Sequence, residues 1–286
     1  MDVSVIIVNY NTKVLTSNCI ESIYTYTRDV SFEIILVDNA SVDGSKELFE
    51  MDNRIRYVYN NENVGFGRAN NIGYNHANGK YLFLLNSDTI IKNNAVKIFF
   101  DSMEKMEYNV ACIGTQLLGG DNNLTKSFGP FFSFKVIIPH PVEQVIKGII
   151  PKNGIVVPVV IGADMFLRRD VVDKYGLFDP AFFMYEEEND VQRRYASYGF
   201  VSKIISGPHI VHLEGKSNKN KLNVRMVGGA YTYMKKWSPS WKYILFRVVY
   251  SFTRIPKVFL SGCSIKEKID FLKVLLFYKA QRSKLF

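Results

Sequence analysis

Short runs of β-branched and aromatic residues alternate with polar loops and helix-spaced segments over the first 114 residues. The runs cover residues 3–8, 33–37, 55–59, 81–85 and 110–113. Nearly continuous apolar strands separated by helices form a mostly parallel sheet, because such strands are buried on both faces. The sequence therefore predicts a doubly wound α/β fold, and ligands of such sheets bind beyond the carboxyl ends of the strands.

The polar loops after these runs contain the first candidate site residues. Asp38 follows the second run, and Asn86, Ser87 and Asp88 follow the fourth. A carboxylate at a strand end is placed to accept a hydrogen bond from a nucleobase or a ribose hydroxyl, or to bind Mg²⁺ or Mn²⁺ together with substrate phosphates. A helix N-cap or a turn explains the same residues equally well, so these positions alone leave the function open.

A third candidate is the acidic cluster at residues 186–190, which follows an aromatic run at residues 182–185. Acidic residues are also expected in the first turn of a helix, where they complement its dipole. Crowded carboxylates, however, raise one another's pKa toward the range that suits a general base. His212 adds an imidazole that fits the coordination shell of a metal-bound diphosphate, although a single histidine is more often structural.

Charge is divided unevenly along the 286 residues, whose formal net charge is +9. Residues 1–212 hold 20 basic and 24 acidic side chains, and residues 213–286 hold 16 and 3, which together make the 36 and 27 of the whole chain. We therefore expect an acidic body and a basic C-terminal region with a separate role.

Two function classes are disfavoured. The basic residues of the C-terminal region alternate with helix-spaced apolar residues and do not cluster with stacking aromatics, which argues against a nucleic acid partner. The glycine-rich segment at residues 65–70 has Asn70 in place of the third glycine of a dinucleotide fingerprint. It also does not follow the first strand, which argues against a nicotinamide enzyme.

The cysteines and the N-terminus indicate the compartment. Cys19, Cys112 and Cys263 are odd in number and form no C-x-x-C pair, which favours a reducing environment. The N-terminus enters the first strand without a basic leader, and no apolar stretch reaches the roughly 18 residues of a membrane span. We therefore expect a cytoplasmic chain that lies on a membrane surface if it meets a membrane.

The basic C-terminal region contains two amphipathic helical patterns. In residues 244–255, Arg247, Ser251 and Arg254 recur at helical spacing and leave a broad apolar face, and Pro256 is expected to end the helix. Ser264 and Glu267 predict a capping box that opens a second helix. That helix carries Ile269, Leu272, Leu275 and Leu276 on one side.

The two helical patterns indicate what residues 240–286 contact. Basic amphipathic helices suit the headgroup region of an anionic membrane, here the inner face of the cell membrane. The alternative is that they pack on the body or on a second copy of the chain in a homodimer.

Seven segments, in order along the chain, together resemble a known family. They are residues 5–11, 37–44, 63–73, 83–89, 162–169, 176–179 and 182–190, with His212 after them. The ordered set resembles the inverting nucleotide-sugar glycosyltransferases of family two, which have the GT-A fold, and within them most closely the rhamnosyltransferase branch. The resemblance covers residues 1–217.

The resemblance implies a domain organisation and a donor site. Residues 1–217 would form the catalytic domain, with a donor-binding half at 1–114 and an acceptor-binding half at 115–217, and residues 218–286 would form a basic helical extension. Asp38 would contact the uracil or thymine of a UDP- or dTDP-sugar. The implied donor-binding residues are Asn9, Tyr10, Asp38, Asn39, Ser41, Asn63, Gly65, Arg68, Asn71, Asn86, Ser87, Asp88 and Lys216.

The resemblance also implies the metal ligands and the catalytic group. Asp88 and His212 would hold Mg²⁺ or Mn²⁺ against the diphosphate, although Asn86 replaces the first acid of the family's D-x-D element. Glu188 would be the general base that deprotonates an acceptor hydroxyl. The implied acceptor or sugar contacts are Asp164, Glu187 and Asp190.

The expected function is therefore transfer of a sugar, with rhamnose favoured, to a glycan acceptor, expected to be lipid-linked, in bacterial surface polysaccharide synthesis. A sugar nucleotidyltransferase shares the sheet and the metal, but would have a glycine-rich basic loop where this chain has residues 9–12. A non-catalytic scaffold is the third hypothesis. It is supported by Asn86, which replaces the first acid of the D-x-D element.

Overall fold

The computed structural model describes residues 1–137, 144–213 and 222–280. Its strands are β1 (Val3–Asn9), β2 (Phe32–Asp38), β3 (Arg56–Tyr59), β4 (Tyr81–Leu85), β5 (Thr89–Ile91), β6 (Val110–Thr115), β7 (Phe128–Gly129), β8 (Ile155–Val157), β9 (Val159–Val160), β10 (Asp164–Arg168), β11 (Val201–Ile205) and β12 (Ile210–His212). Its helices are α1 (Lys13–Tyr26), α2 (Ser45–Phe49), α3 (Phe66–Asn75), α4 (Ala95–Lys105), α5 (Arg169–Tyr175), α6 (Glu187–Ser197), α7 (Val224–Trp237), α8 (Ser240–Leu260) and α9 (Ile265–Phe277).

The central sheet has eight strands in the order β3-β2-β1-β4-β10-β6-β11-β8. Strands β3, β2, β1 and β4 are mutually parallel, and β6 is parallel to β11. Strand β10 runs antiparallel between β4 and β6, and β8 is antiparallel to β11. The predicted mostly parallel α/β sheet is confirmed. Because β10 is reversed, its first residue, Asp164, lies beside Leu85 at the carboxyl end of β4.

Both faces of the sheet are covered. Val5 and Ile7 of β1 pack on one face with α1 and α4, whereas Ile6 packs on the other face with α3, α5 and α6. The alternation of side chains along a strand sends neighbours to opposite faces, so every position in a doubly covered strand is apolar. This burial explains why the strands could be recognised as continuous apolar runs.

Two short antiparallel pairs form separate two-stranded sheets. Strand β5 pairs with β12, and His212 lies opposite Thr89. Thr89 directly follows Asp88 in the chain. Strand β7 pairs with β9. The β5–β12 pair therefore joins the loop after β4 to a segment more than a hundred residues later in the chain.

The three C-terminal helices form a cluster of their own that packs on the body. Tyr231 of α7, Phe246 and Tyr250 of α8 and Leu275 of α9 are buried together. Phe132, from the loop after β7, packs edge-on against Phe246. The predicted domain boundary after residue 217 lies outside the described residues, but α7–α9 are in direct contact with the rest of the fold.

A buried ion-pair cluster holds α7 against the body. The Lys236 ammonium lies 2.7 Å from Asp179 Oδ2 and 2.9 Å from the Asp190 carboxylate. The Trp237 indole N–H donates to Asp190 Oδ1 at 2.7 Å. Both carboxylates are fully buried. Lys236 therefore compensates two negative charges that lie on either side of the start of α6.

The predicted helix end at Pro256 is wrong, because α8 continues through Pro256 to Leu260. Pro256 removes one backbone hydrogen bond from the helix. The last turn is held by tertiary contacts instead: Val258 is fully buried in the α7–α9 cluster, and the Ser261 hydroxyl donates to the Val258 carbonyl at 2.7 Å. The predicted capping box of Ser264 and Glu267 is confirmed at the start of α9.

Helix α8 packs Phe246, Tyr250 and Val258 into the cluster. Arg247 donates to the Leu276 carbonyl at 2.7 Å and stacks over the Tyr231 ring, and Arg254 stacks over Tyr250 of its own helix. A second apolar side of α8, which includes Val248 and Phe252, is exposed. In α9, Leu275 and Phe271 are buried in the cluster, whereas Ile269 and Leu276 are exposed. None of the helices in the described residues is both long and apolar enough to span a bilayer.

We predict that Lys236→Met strongly destabilises the protein. The substitution leaves the two buried carboxylates of Asp179 and Asp190 without their shared cation, and removal of one partner of a buried ion pair typically costs about 3–5 kcal/mol. Urea unfolding followed by circular dichroism measures the change in the free energy of unfolding.

Lys273→Met is the matched control. Lys273 pairs with Asp270 at 3.8 Å and both side chains are exposed, so its loss is expected to cost less than about 1 kcal/mol. If Lys236→Met changed stability no more than Lys273→Met, the buried ion-pair cluster would not hold α7 in place.

Candidate active site

The carboxyl ends of β1 and β2 form a hydrogen-bonded floor. Asp38 is fully buried and accepts from the Tyr57 hydroxyl at 2.7 Å and from the Ser41 backbone N–H at 2.9 Å. The Ser41 hydroxyl in turn accepts from the Asn9 side-chain amide at 2.9 Å. These bonds fix the loops after β1 and β2 relative to each other.

The Asn9 side chain forms hydrogen bonds within the protein, whereas the next residue, Tyr10, is accessible. The Asn9 side-chain oxygen accepts from the hydroxyls of Thr12 and Thr16 at 2.8 Å and 2.9 Å. Tyr10 is 43% exposed above this floor. The Thr12 hydroxyl also lies 3.1 Å from the Ser87 hydroxyl, which links this floor to the loop after β4. Tyr10 is thus placed to contact a bound group, and Asn9 positions the loop that carries it.

The loop before α3 connects the floor to the acidic cluster. The Asn39 amide donates to Asn63 Oδ1 at 2.9 Å, and Gly65 N–H donates to the same oxygen at 3.0 Å. Gly65 has φ +89°, and a Cβ there would lie 2.1 Å from the Phe183 carbonyl oxygen. Glycine is required because the backbones touch: Phe66 N–H donates to that oxygen at 3.0 Å.

Two residues of α3 fix the segment before the acidic cluster. Asn71 exchanges hydrogen bonds with the Phe178 backbone at 2.7 Å and 3.0 Å. Arg68 Nε donates to the Pro180 carbonyl at 2.8 Å. These contacts give both side chains a positioning role between the two predicted halves of the domain.

Asp88 and His212 come together across the β5–β12 pair. Asp88 Oδ1 lies 3.2 Å from His212 Nε2, and both side chains are mostly buried. Leu213 N–H donates to the Asp88 carbonyl at 2.9 Å, and His212 N–H donates to the Leu118 carbonyl at 2.7 Å. The backbone therefore holds the two side chains at the edge where β4 ends.

This pair fits a divalent cation. An octahedral shell with ligand distances of about 2.1 Å places neighbouring ligands about 3 Å apart, close to the observed separation of the Asp88 oxygen and the His212 nitrogen. His212 Nδ1 is buried and has no hydrogen-bond partner among the described residues. No group of three or more His, Cys, Asp and Glu side chains in the described ranges is arranged to hold a metal. A cation here would therefore need substrate phosphate oxygens as further ligands.

Asp164 lies beneath the same edge. Its Oδ2 accepts from Thr115 N–H at 2.7 Å, whereas its Oδ1 is buried without a partner in the described parts of the chain. Burial raises the pKa of Asp164 well above its ordinary value, and the bond from Thr115 opposes that rise. A protonated Asp164 has one O–H with which to donate to a sugar hydroxyl.

Three glutamates begin α6. Burial raises the pKa of Glu186 to about 8, and the nearby Glu188 carboxylate adds to that rise. Burial also raises the pKa of Glu187 well above its ordinary value, and it raises the pKa of Glu188. Glu188 is less buried than Glu187, which is 3% exposed. Glu186 and Glu188 thus both combine partial exposure with an elevated pKa.

Lys126, which no sequence motif marks, also affects the pKa values of the glutamates. The Lys126 ammonium lowers the pKa of both Glu186 and Glu188 and so opposes the effect of burial. Lys126 directly follows Thr125, which lines a cavity with His212. The segment around Lys126 therefore lies between the Asp88–His212 pair and the glutamates. No motif marks it, because its position depends on pairing with distant strands.

The structure gives Asp190 a role that differs from the predicted one. Both oxygens of Asp190 are bonded to Lys236 and Trp237 in a fully buried position, so the structure gives Asp190 a role in holding α7 rather than an open position at the acceptor. Lys216 lies outside the described residues.

The model of one protein family matches most of the chain that carries this sheet. The model described as "Glycosyl transferase family 2" matches residues 4–176, more than half of the chain. The chain belongs to glycosyl transferase family 2. The match includes β1, β2, β4 and β10, and thus Asp38, Asp88 and Asp164.

Curated glycosyltransferases align with just under half of the chain. The chain is 30% identical to glycosyltransferase GlyG of Streptococcus pneumoniae over 136 residues, which cover 46% of this chain and 43% of GlyG. It is 28% identical to the putative teichuronic acid biosynthesis glycosyltransferase TuaG of Bacillus subtilis over 130 residues, covering 44% and 51%. The aligned segments thus span about half of these relatives' length or less.

Solved structures share the fold over nearly the whole chain. A mannosyltransferase from Pyrobaculum calidifontis, in complex with GDP-Man and Mn²⁺, has a TM-score of 0.58 at 16% identity and covers 95% of this chain and 78% of its own. GalNAc-T7 with UDP, GalNAc and Mn²⁺ has a TM-score of 0.62 at 15% identity and covers 96% and 54%. The predicted GT-A fold is confirmed.

Proposed function

We propose that the chain is an inverting glycosyltransferase that moves a sugar from a UDP- or dTDP-sugar to a hydroxyl of a glycan acceptor in bacterial surface polysaccharide synthesis. Rhamnose is the favoured sugar, on the resemblance of the sequence motifs. The observation that carries the proposal is the Asp88–His212 pair, 3.2 Å apart at the strand edge that also holds the loop of Asp38. TuaG, a relative, is described as a putative teichuronic acid biosynthesis enzyme, which supports the acceptor class.

The donor lies across the ends of β1, β2 and β4. Its base contacts Tyr10 and the loop of Asp38, and its diphosphate reaches Asp88 and His212. Mg²⁺ or Mn²⁺ bound there supplies positive charge that stabilises the leaving diphosphate. The Mn²⁺ and nucleotide ligands of two proteins with the same fold support this assignment.

Glu188 is the general base. Its carboxylate accepts the proton of the acceptor hydroxyl while that oxygen attacks the anomeric carbon from the face opposite the leaving diphosphate, so that the configuration inverts. The raised pKa of Glu188 makes it a stronger base than an ordinary glutamate once it is ionised. In this proposal Glu187 and Asp164 orient sugar hydroxyls.

The acceptor is lipid-linked and is met at the anionic inner face of the cell membrane. The outer face of α8 is apolar and exposed along its length. Its exposed side chains are Trp241, Ile244, Leu245, Val248, Phe252 and Phe259. Residues 240–280 carry eight basic and two acidic side chains, and each Lys or Arg near an anionic surface contributes about 1 kcal/mol to binding. A homodimer through the same face is the alternative.

Two other functions use the same fold. A sugar nucleotidyltransferase would form a new diphosphate bond and would not need Glu188 as a base for an acceptor hydroxyl. A non-catalytic scaffold would bind the nucleotide sugar without turnover. Changing Glu188 distinguishes both from the proposal, because only the proposed sugar transfer requires Glu188 as a base.

We predict that Glu188→Gln lowers the rate of sugar transfer by about 10²–10⁴-fold, the usual contribution of a general base, without loss of donor binding. In the unchanged protein the rate should rise with pH through a midpoint above the ordinary range of a glutamate, because the base acts only when ionised and burial raises its pKa. That midpoint belongs to the coupled glutamate cluster. Release of nucleoside diphosphate from UDP- and dTDP-sugars measures the rate.

Glu47→Gln is the matched control, since Glu47 lies in the first turn of α2 and is exposed. It should keep the full rate. Near-normal transfer by folded Glu188→Gln would contradict the assignment of the base.

We predict that the paired change Val248→Glu and Phe252→Glu abolishes binding to anionic vesicles. Phe252 is 74% exposed, so charged groups there should leave the fold intact and place carboxylates against lipid. Flotation with phosphatidylglycerol-containing vesicles measures the bound fraction. Met51→Glu, at a 79% exposed position on the body, is the control and should bind like the unchanged protein. Equal flotation of all three proteins would rule out this face as the membrane contact.

A further inference from the structure

An apolar groove of about 210 Å³ lies next to the acidic cluster. It is lined by Phe183 and Met184 from the segment before α6, by Val224 and Gly228 of α7, by Val274 of α9 and by Tyr278 directly after α9. Arg225 is the charged residue in its lining.

The spacing of residues on the two helices explains why the groove is open. Val224, Gly228 and Thr232 follow one another at intervals of four and thus share one face of α7, as Val274 and Tyr278 do at the end of α9. A Cβ at Gly228 would lie 3.3 Å from the Tyr278 ring. A larger residue would therefore narrow the groove, and the glycine keeps its floor clear.

The groove lies beside the segment that leads into α6. Phe183 and Met184 precede Glu186 in the chain, and the Phe183 carbonyl accepts from Phe66 N–H at the donor loop. The Asn223 amide donates to the Tyr185 hydroxyl at 2.8 Å, which ties the start of α7 to the same segment. The groove therefore borders the segment that carries the proposed base.

A cation lies at the rim of the groove. The exposed Arg225 guanidinium is centred 5.3 Å from the Phe183 ring, and its Nη1 is 3.8 Å from Met184 Sδ. No carboxylate of the described residues forms an ion pair with it. An arginine in this position is suited to bind a phosphate in a bidentate manner.

We propose that this groove binds the hydrocarbon chain of the lipid-linked acceptor and that Arg225 binds the phosphate that joins the chain to the glycan. The inference rests on the proposed function and adds to it the lipid site of the acceptor. An apolar channel with a cation at its mouth matches an alkyl phosphate in both charge and polarity. The basic surplus of residues 240–280 and the apolar outer face of α8 place this groove on the helices expected to lie at the membrane, the source of such a molecule.

Calorimetric titration of the full chain with octyl phosphate, below its micelle concentration, tests the proposal. We expect octyl phosphate to bind at least tenfold more tightly than inorganic phosphate or 1-octanol, because only octyl phosphate uses both the groove and Arg225. Val274→Trp, which fills the groove, and Arg225→Gln, which removes the exposed cation, should each weaken binding at least tenfold. Val156→Trp and Lys105→Gln, at exposed positions away from the groove and from α8, are matched controls and should bind as the unchanged protein does.

Three results would overturn the assignment. They are equal binding of inorganic phosphate and octyl phosphate, binding by Val274→Trp within threefold of the unchanged protein, and a loss of binding in the controls that matches the loss in the groove variants. Arg225→Gln keeps the test decisive if Val274→Trp fails to fold, since Arg225 is exposed. Stabilisation by UDP with Mn²⁺, measured in the same variants, should be unchanged. A protein that binds octyl phosphate but no nucleotide would contradict the proposed function and leave the groove assignment standing.

Discussion

The covering of the central sheet on both faces is the constraint on which the site depends. Val5, Ile6 and Ile7 of β1 are all fully buried, on alternating sides, so a polar side chain on either face would be buried without water. A polar side chain within a strand needs partners, as buried Ser4 of β1 has in Glu33 and the Gly79 N–H, and polar groups open to a ligand lie where the strands end. The antiparallel β10 and the β5–β12 pair bring Asp164 and His212 to the edge where β4 reaches Asp88. One edge thus gathers acids and an imidazole from segments far apart in sequence.

The C-terminal helices complete this edge. Lys236 of α7 lies between the buried carboxylates of Asp179 and Asp190, one before and one within α6. The glutamates at the start of α6 therefore keep their position partly through a helix outside the segment matched by the family model. The same packing buries Phe246 and Tyr250 and leaves a second apolar side of α8 exposed. The basic surplus of the sequence and the proposed membrane contact thus lie on helices that also support the catalytic groups.

Much of the fold follows from the sequence, because doubly buried strands must be apolar throughout and the helices between them keep their spacing. The pairing of Asp88 with His212 agrees with the motif resemblance, and the register of β12 on β5 explains it physically. The role of Asp190 could not be predicted from the sequence. Its partner Lys236 is 46 residues away, and no local pattern signals a buried ion pair. The orientation of α8 was equally hidden, because apolar residues lie on more than one side of the helix and only the burial of Phe246 and Tyr250 in the cluster shows which side faces inward. Likewise, Pro256 ends a helix by local rules, and buried Val258 extends it here.

The central claim is that Asp88 and His212 hold a cation against the diphosphate of a nucleotide. Thermal unfolding of the unchanged protein and of Asp88→Ala, with UDP or dTDP in the presence and absence of Mn²⁺, tests it most directly. The account predicts that nucleotide raises the unfolding temperature of the unchanged protein only with Mn²⁺, since a ligand at 100 times its Kd stabilises the native state by about 2.7 kcal/mol. It also predicts that Asp88→Ala loses this shift, whereas Asp121→Ala in the exposed turn beside the site keeps it. An equal Mn²⁺-dependent shift in Asp88→Ala would contradict the claim.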